Sequence, residues 1–538
     1  MKNNLLARLP LIGSYFRPRK PSPRARVYQG IHSERRRARI FYYPIRAFFR
    51  AISRTQHAEI RAIGLENIPP DGSVFLVGNH PNSFLDFFNL ITVARHPIAT
   101  AAKDTVTNIP VFGRLLKNYA LLVPVSRAQD KTESGISEEE RLKANEKMIR
   151  DAVELLVNGR LFNIYAEGAS IDSRTLNRIK LGFMMLGIQA ERQFNYNLNL
   201  RFVPYGYYYD RINKFRSSVC VIFGKPFKIR GLVELPEDVL SLPEKDQKAL
   251  EKKILLAGKK RLQSDIENII ISIPNKEIIG LIDELTDIYV TSPFKYMGPY
   301  RNVREKYILC KNIAQAVQEA EKTKRGKEMI RRLRILLKEY RKKLDLFNIK
   351  DQEVRRQYAP AAAFANGIAF FRGLLLSPLI VYGYVTNFIP RLAGRITRYV
   401  SIDLQKRPQV DGDDRTIVAA ALGVILTYPA LGILIYLGVA SYLPALPELF
   451  SGFPEGKRLA AALAAHSGAS AAGIALFGVY LMGRLWRVSV SLSDGFKDSL
   501  YFLRDFIVSR FRRKRLNEMR ALRHEIIDQA DFIMGDFL

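Results

Sequence analysis

Cysteine is scarce in this sequence, with only Cys220 and Cys310 among 538 residues. Two are too few for a disulfide framework and fit a reducing compartment. No Cys/His cluster stands at metal-ligand spacing, so neither a metal nor a cofactor is expected. Acidic residues are few beside basic ones, 52 against 84, leaving a net charge of +32. That excess implies a polyanionic partner, either nucleic acid or an anionic membrane face. The N-terminus lacks the pattern of a secretory signal: residues 5–15 are a short apolar stretch followed by basic residues. Internal repeats, low-complexity tracts and a Gly-x-Ser-x-Gly elbow are missing as well.

Apolar residues are plentiful, at 48%, and are gathered into long runs. They favour the membrane over nucleic acid, so anionic lipids are an expected partner and nucleic acid is not. Five regions follow from composition. Residues 1–56 are basic and aromatic, with Arg35-Arg36-Arg37 ahead of an aromatic and arginine run ending at Arg50. They are too charged to span and read as a segment on lipid headgroups; the other readings are a solvated arm or one packed on the next domain. Residues 57–234 alternate strand and helix patterns, which predicts an α/β domain, a mixed sheet flanked by helices. Strands are expected at 73–77, 98–102, 121–125, 161–166, 200–205 and 219–223, and a long helix at 138–157 with Glu139 facing Lys143. Residues 235–356 read as charged and helical, including one helix over 313–344 whose apolar stripe includes Ile330, Leu333, Leu336 and Leu337. They are either a docked subdomain or a surface-binding face.

Residues 357–490 hold three apolar stretches, 361–389, 417–446 and 459–481, each longer than the ~20 residues a spanning helix needs. Arginine and lysine flank the first stretch on both sides, whereas residues 447–456 have neither. The positive-inside rule then puts both ends of the first stretch in the cytosol. Arg372-Gly373 and Pro378 interrupt it, so it reads as a re-entrant hairpin, followed by two full spans and a basic cytosolic tail over 491–538.

The stretch Val77-Gly78-Asn79-His80-Pro81-Asn82-Ser83-Phe84-Leu85-Asp86 carries the chemistry. A buried strand ends at Gly78, and Asn82 or Ser83 can cap the helix expected from Phe84 to Val93. His80 thus sits on a strand-to-helix turn, with Asp86 on the first helical turns. A carboxylate there fixes the ring tautomer and raises its basicity, as a general base requires. Alone, the pair also reads as an ordinary turn histidine. Three further blocks follow in order: Val123-Pro124-Val125-Ser126-Arg127, Tyr165-Ala166-Glu167-Gly168-Ala169-Ser170 and Phe202-Val203-Pro204-Tyr205-Gly206.

With these four blocks, residues 58–227 resemble the glycerolipid acyltransferases, the superfamily of glycerol-3-phosphate and lysophosphatidic acid acyltransferases. Its blocks run His-x4-Asp, an arginine block, Phe-Pro-Glu-Gly and Val-Pro. Here five residues separate His80 from Asp86, and Tyr165 and Ala166 stand where the family has phenylalanine and proline. The longer step and the apolar C-terminal region are similar to the fungal-type glycerol-3-phosphate acyltransferases and their bacterial relatives.

The resemblance implies roles. His80 is the base and Asp86 its orienter. Arg127 grips phosphate, a surface arginine after a strand being its other reading; Lys103 is a second phosphate candidate or a solvated lysine. Glu167, Gly168 and Ser170 bind glycerol phosphate, with a structural hydrogen bond as the other reading of Glu167. Pro204 shapes the acyl side or ends a strand. Apart from the resemblance, Lys214-Phe215-Arg216 lies before the last expected strand, where its charges can add phosphate contacts. The implied enzyme is an integral membrane O-acyltransferase with a cytosolic catalytic domain, in a bacterial inner membrane or the endoplasmic reticulum. It moves an acyl group from acyl-CoA, acyl-carrier protein or acyl phosphate to glycerol 3-phosphate, giving lysophosphatidic acid. The rivals are acylation of lysophosphatidic acid to phosphatidic acid and, from another class, a non-catalytic basic membrane-binding protein.

Overall fold

The computed structural model describes residues 32–94, 96–103, 122–125, 138–168, 175–212, 215–273, 275–290, 302–355, 360–404, 409–449 and 454–538. The chain divides into two units, residues 1–327 with 533–538, and residues 328–532.

The first unit is built on a seven-stranded mixed sheet: β1 His57–Ile63, β2 Val74–Gly78, β3 Ile98–Lys103, β4 Leu122–Val125, β5 Leu161–Tyr165, β6 Arg201–Tyr209 and β7 Ser217–Phe223. Their spatial order is β1-β7-β6-β2-β5-β3-β4. All neighbours pair in parallel except β6 with β7, so five strands share one direction and β7 and β1 oppose them. The central strand β2 is fully buried and reads as an unbroken apolar run, as expected of a strand covered on both faces. Helices α1 His32–Gln56, α2 Ser83–Val93, α3 Glu138–Val157 and α4 Gly182–Arg192 connect or flank the strands. On α3 the expected pair of Lys143 with Glu139 is present at 2.7 Å.

The aromatic, basic residues of α1 pack into this unit. Phe49 stacks on Phe88 at 4.5 Å, and Tyr42, Arg46 and Ser53 are buried. Arg46 Nε donates to Ile91 O at 2.9 Å and Nη2 to Ala94 O, satisfying carbonyls at the end of α2 that have no helical partner. Over residues 42–53 one face of α1 is therefore packed on this unit.

Two expectations around the sheet are corrected. Pro204 does not end a strand: β6 continues to Tyr209, with Pro204 beside Val77 of β2. The helix expected over 313–344 is two helices, α7 Val303–Glu321 and α8 Lys324–Phe347. Thr323 Oγ1 accepts from Gly326 N at 2.9 Å, and a side chain at Gly326 would collide with the backbone of Ala320, so the chain turns there. Before α7 come α5 Glu244–Ile270 and α6 Lys276–Val290. Ile269 and Ile270 of α5 press on Gly206, where an added Cβ would meet Ile270 at 2.6 Å, and Tyr307 of α7 meets Tyr208 at 5.5 Å. These helices are docked on the sheet.

The second unit is helical: the rest of α8, then α9 Pro360–Leu375, α10 Ser377–Thr386, α11 Phe388–Arg398, α12 Gln409–Tyr442, α13 Pro454–Ala465, α14 Ser467–Phe511 and, as far as Phe532, α15 Arg513–Phe537. Among the described residues one helix, Leu426–Ala445, is long and apolar enough to cross a membrane, and the pair Ala362–Leu375 and Ser377–Thr386 passes as a bent unit with a 53° break. The break falls at Leu376, ahead of Pro378, which lacks an N–H, and not at Arg372-Gly373, which lie inside α9. The stretch 459–481 is not one helix either, since His466 separates α13 from α14.

Candidate active site

Five parallel strands put their carboxyl ends on one edge of the sheet, where open α/β sheets bind ligands. His80 lies two residues past β2 and Glu167 two residues past β5. Those strands are neighbours, and Ala166 N donates to Gly78 O at 2.9 Å, carrying the ladder into the loops. The sheet itself therefore brings His80 and Glu167 together.

The His80-to-Asp86 step closes despite its extra residue. His80 Nδ1 is 2.9 Å from Asp86 Oδ2, with the imidazole 13% exposed and the carboxylate fully buried. Asn82 begins α2 but makes no capping bond with its side chain. Instead its amide N–H donates to Asp86 Oδ2 at 2.6 Å, while its Nδ2 donates to Ile212 O at 3.0 Å. Ser83 follows at φ 40°, a conformation L side chains rarely adopt. His80 Nε2 has no protein hydrogen bond among the described residues, which leaves it available to a reacting hydroxyl.

Glu167 is 7% exposed and its carboxylate faces inward. Oε1 accepts from His80 N at 2.9 Å, and Oε2 accepts from Asn177 N at 3.1 Å and Asn177 Nδ2 at 2.6 Å. These are the structural hydrogen bonds of the second reading, and they hold the histidine by its backbone. Gly168 sits at φ +71°, and an added Cβ would lie 2.7 Å from Lys180 Nζ. Lys180 thus folds across the glycine beside the Glu167 turn, and among the described residues it forms no ion pair.

The strand β6 supplies side chains that sequence reasoning passed over. Alternate residues of a strand face one side, and Tyr205, Tyr207 and Tyr209 form a ladder there. Tyr209 OH donates to Asp86 Oδ1 at 2.6 Å, Tyr207 OH to Asp86 O at 2.7 Å, and Tyr205 OH to Asn163 Oδ1 at 2.8 Å. Their signal was the i, i+2 tyrosine spacing directly after Val203-Pro204. Asp86 accepts from His80, Asn82 and Tyr209. Burial pushes its carboxyl up, and those donors pull against it by favouring the ionised form.

Of the other sequence candidates, Lys103 is the last residue of β3. Pro204 lies within β6, buried and beside Val77, one residue before the end of β2. Arg127, Ser170 and Lys214 lie outside the described residues. Arg216 is tied to the end of α1, its N–H donating to Gln56 O at 2.7 Å. No group of three or more metal-ligating side chains occurs among the described residues.

Residues 59–207 match the protein-family model described as Acyltransferase. This segment contains β2, the His80 turn, β5 and the tyrosines Tyr205 and Tyr207, and its match is to an acyltransferase domain. No curated protein matches the chain. A crystal structure of the 1-acyl-sn-glycerophosphate (LPA) acyltransferase from Thermotoga maritima is similar at 18% identity over 45% of this chain and 88% of that chain, with a TM-score of 0.27.

Proposed function

We propose that the chain transfers a fatty acyl group from an activated donor to the primary hydroxyl of glycerol 3-phosphate, giving lysophosphatidic acid. The observation that carries this reading is the 2.9 Å His80–Asp86 contact at the carboxyl edge of the sheet, inside the acyltransferase match. His80 Nε2 takes the hydroxyl proton as the oxygen attacks the acyl carbonyl, forming the new C–O bond. Asp86 keeps the other ring nitrogen protonated and stabilises the imidazolium that forms. Collapse of the tetrahedral adduct breaks the bond to the donor's leaving group, a thiol of coenzyme A or acyl-carrier protein, or phosphate. His80 returns the proton to it. No covalent acyl-enzyme is needed.

Lys180, with Arg127 and Lys103 from the sequence reading, is proposed to hold the acceptor's phosphate. Gly168 leaves room for Lys180, Ser170 adds a hydroxyl, and Pro204 fixes the strand behind the acyl side. Glu167 acts on His80 and not on the acceptor. The choice of glycerol 3-phosphate is supported by the five-residue step from His80 to Asp86 and by the apolar C-terminal region. That region also supports attachment to the membrane, with Leu426–Ala445 crossing and the bent pair at Leu376 entering and returning.

The test is product analysis with the purified full chain in nanodiscs. Radiolabelled glycerol 3-phosphate and lysophosphatidic acid are each offered with acyl-CoA, acyl-carrier protein or acyl phosphate. Labelled lysophosphatidic acid from the first acceptor is expected. Phosphatidic acid alone would move the enzyme to the next acylation. His80→Ala should lower kcat by about 10²- to 10⁴-fold.

A further inference from the structure

The hydrogen bonds around Asp86 continue away from the site. Tyr209 OH, which donates to Asp86 Oδ1, lies 3.0 Å from Asn89 Nδ2. The same nitrogen is 3.1 Å from His57 Nε2, and His57 Nδ1 is 3.3 Å from Ser217 Oγ. Asn89 Oδ1 accepts from Ser53 Oγ, on α1. Ser53, His57, Asn89 and Tyr209 are all buried.

Chemistry fixes the direction of this chain. An amide nitrogen only donates, so Tyr209 O and His57 Nε2 both accept from Asn89. The single Tyr209 proton then remains for Asp86. The reversed amide would draw that proton away and leave Asp86 Oδ1 buried without its donor, so the carboxylate itself selects the orientation. His57 must be neutral, with its proton on Nδ1 toward Ser217.

We propose that Tyr209 and Asn89 are positioning residues for the His80–Asp86 pair, forming a buried relay that couples the seating of α1 to the orientation of the base. The kinetic part of the test rests on the function proposed above. The groups facing Asp86 are His80 and the Asn82 amide from the β2–α2 turn, Tyr165 from β5, and Tyr205, Tyr207 and Tyr209 from β6. Glu167 lies against the His80 backbone, and His57 of β1 stands at the far end of the relay.

Tyr209→Phe deletes one donor and keeps the ring. A carboxylate deprived of a donor holds its proton more tightly. The variant should therefore lose about 10- to 100-fold in kcat, with both KM values nearly unchanged, and the acid limb of kcat against pH should move upward. Asn89→Asp places an acceptor where the amide donates, pulls the Tyr209 proton away, and should move the limb the same way. The double variant should be no worse than Tyr209→Phe, because both changes break one chain. Ser53→Ala should give a smaller shift of the same sign and poses the question from α1 should Tyr209→Phe not fold.

A second readout needs no turnover. Histidine ring resonances of the full chain in nanodiscs, with the His80 signal identified by its loss in His80→Ala, should show the His80 signal displaced in Tyr209→Phe relative to the natural chain. An unmoved acid limb with an unmoved His80 resonance, or additive effects in the double variant, would overturn the relay. If the natural chain transfers no acyl group, the proposed function fails, and the resonance still decides the relay.

Discussion

The imidazole of His80 lies flat on the phenol ring of Tyr165, with centroids 3.8 Å apart and planes 8° from parallel. Tyr165 stands where the family pattern it resembles has phenylalanine, so the ring on the base is kept and the departure adds a hydroxyl. With Nδ1 on Asp86 and the backbone N–H on Glu167, His80 is held in the ring plane, on one ring face and along the chain. An aromatic face also favours the imidazolium formed during transfer.

Removing that ring should therefore slow chemistry and spare binding. Tyr165→Leu should lower kcat by about 3- to 10-fold, the equivalent of a stacked pair, with little change in either KM. Tyr165→Phe keeps the stack and loses the hydroxyl with its contacts to Tyr207, Tyr205 and Asn163, so its kcat should stay near that of the natural chain. Steady-state kinetics on the two variants checks this. Equal losses in both would assign the effect to the hydroxyl.

For Glu167 the hydrogen bonds predict a joint loss of stability and rate. Glu167→Ala leaves the His80 N–H and the Asn177 donors without their acceptor, at about 1–3 kcal/mol of stability for buried groups. It should also lower kcat, since His80 loses its backbone anchor. Thermal unfolding and kinetics are measured together. A raised acceptor KM with unchanged unfolding would instead make Glu167 a substrate contact.

Lys180 carries a charge-specific expectation. Lys180→Ala should raise the KM for the phosphorylated acceptor about tenfold or more and leave the donor KM nearly unchanged, because a charge-assisted hydrogen bond to phosphate is lost. Lys180→Arg should restore most of the binding. Gly168→Ala should mimic the loss, because a methyl group there displaces the lysine and strains a backbone at φ +71°. A donor KM that rises in step would remove Lys180 from the acceptor site.

His57 makes stability depend on pH. Burial lowers its pKa from 6.5 to about 4. Between those values the unfolded chain binds a proton that the folded chain refuses, so stability rises with pH and is lost as pH falls from 6.5 toward 4. The contribution is about 2 kcal/mol between pH 6.5 and 5. Denaturant unfolding at several pH values should show a shallower acid loss in His57→Gln than in the natural chain. An identical slope would mean that His57 titrates alike in both states.

What the sequence determined by itself is short-range. Five residues separate His80 from Asp86, and a strand, a turn and a helix start suffice to bring them together. The apolar runs marked most strands within one or two residues because each run records its own burial. The i, i+4 pair on α3 was legible for the same local reason. Edge strand β1 was missed: its burial is mixed, and no clean alternation marks it. Tertiary structure decided the partners. Glu167 reaches His80 across 87 residues and Tyr209 reaches Asp86 across 123, through the adjacency of β5 and β6 to β2. Strand order is a property of the folded sheet, and no periodicity within a segment encodes it. The seating of α1 followed likewise, because the carbonyls that Arg46 satisfies exist only once α2 has formed. Hydropathy found the apolar stretches, but backbone hydrogen bonding placed the breaks at Leu376 and His466. Pro378 has no N–H to continue the ladder of α9, which permits the break at Leu376 without forcing it, since Pro429 lies inside the unbroken α12.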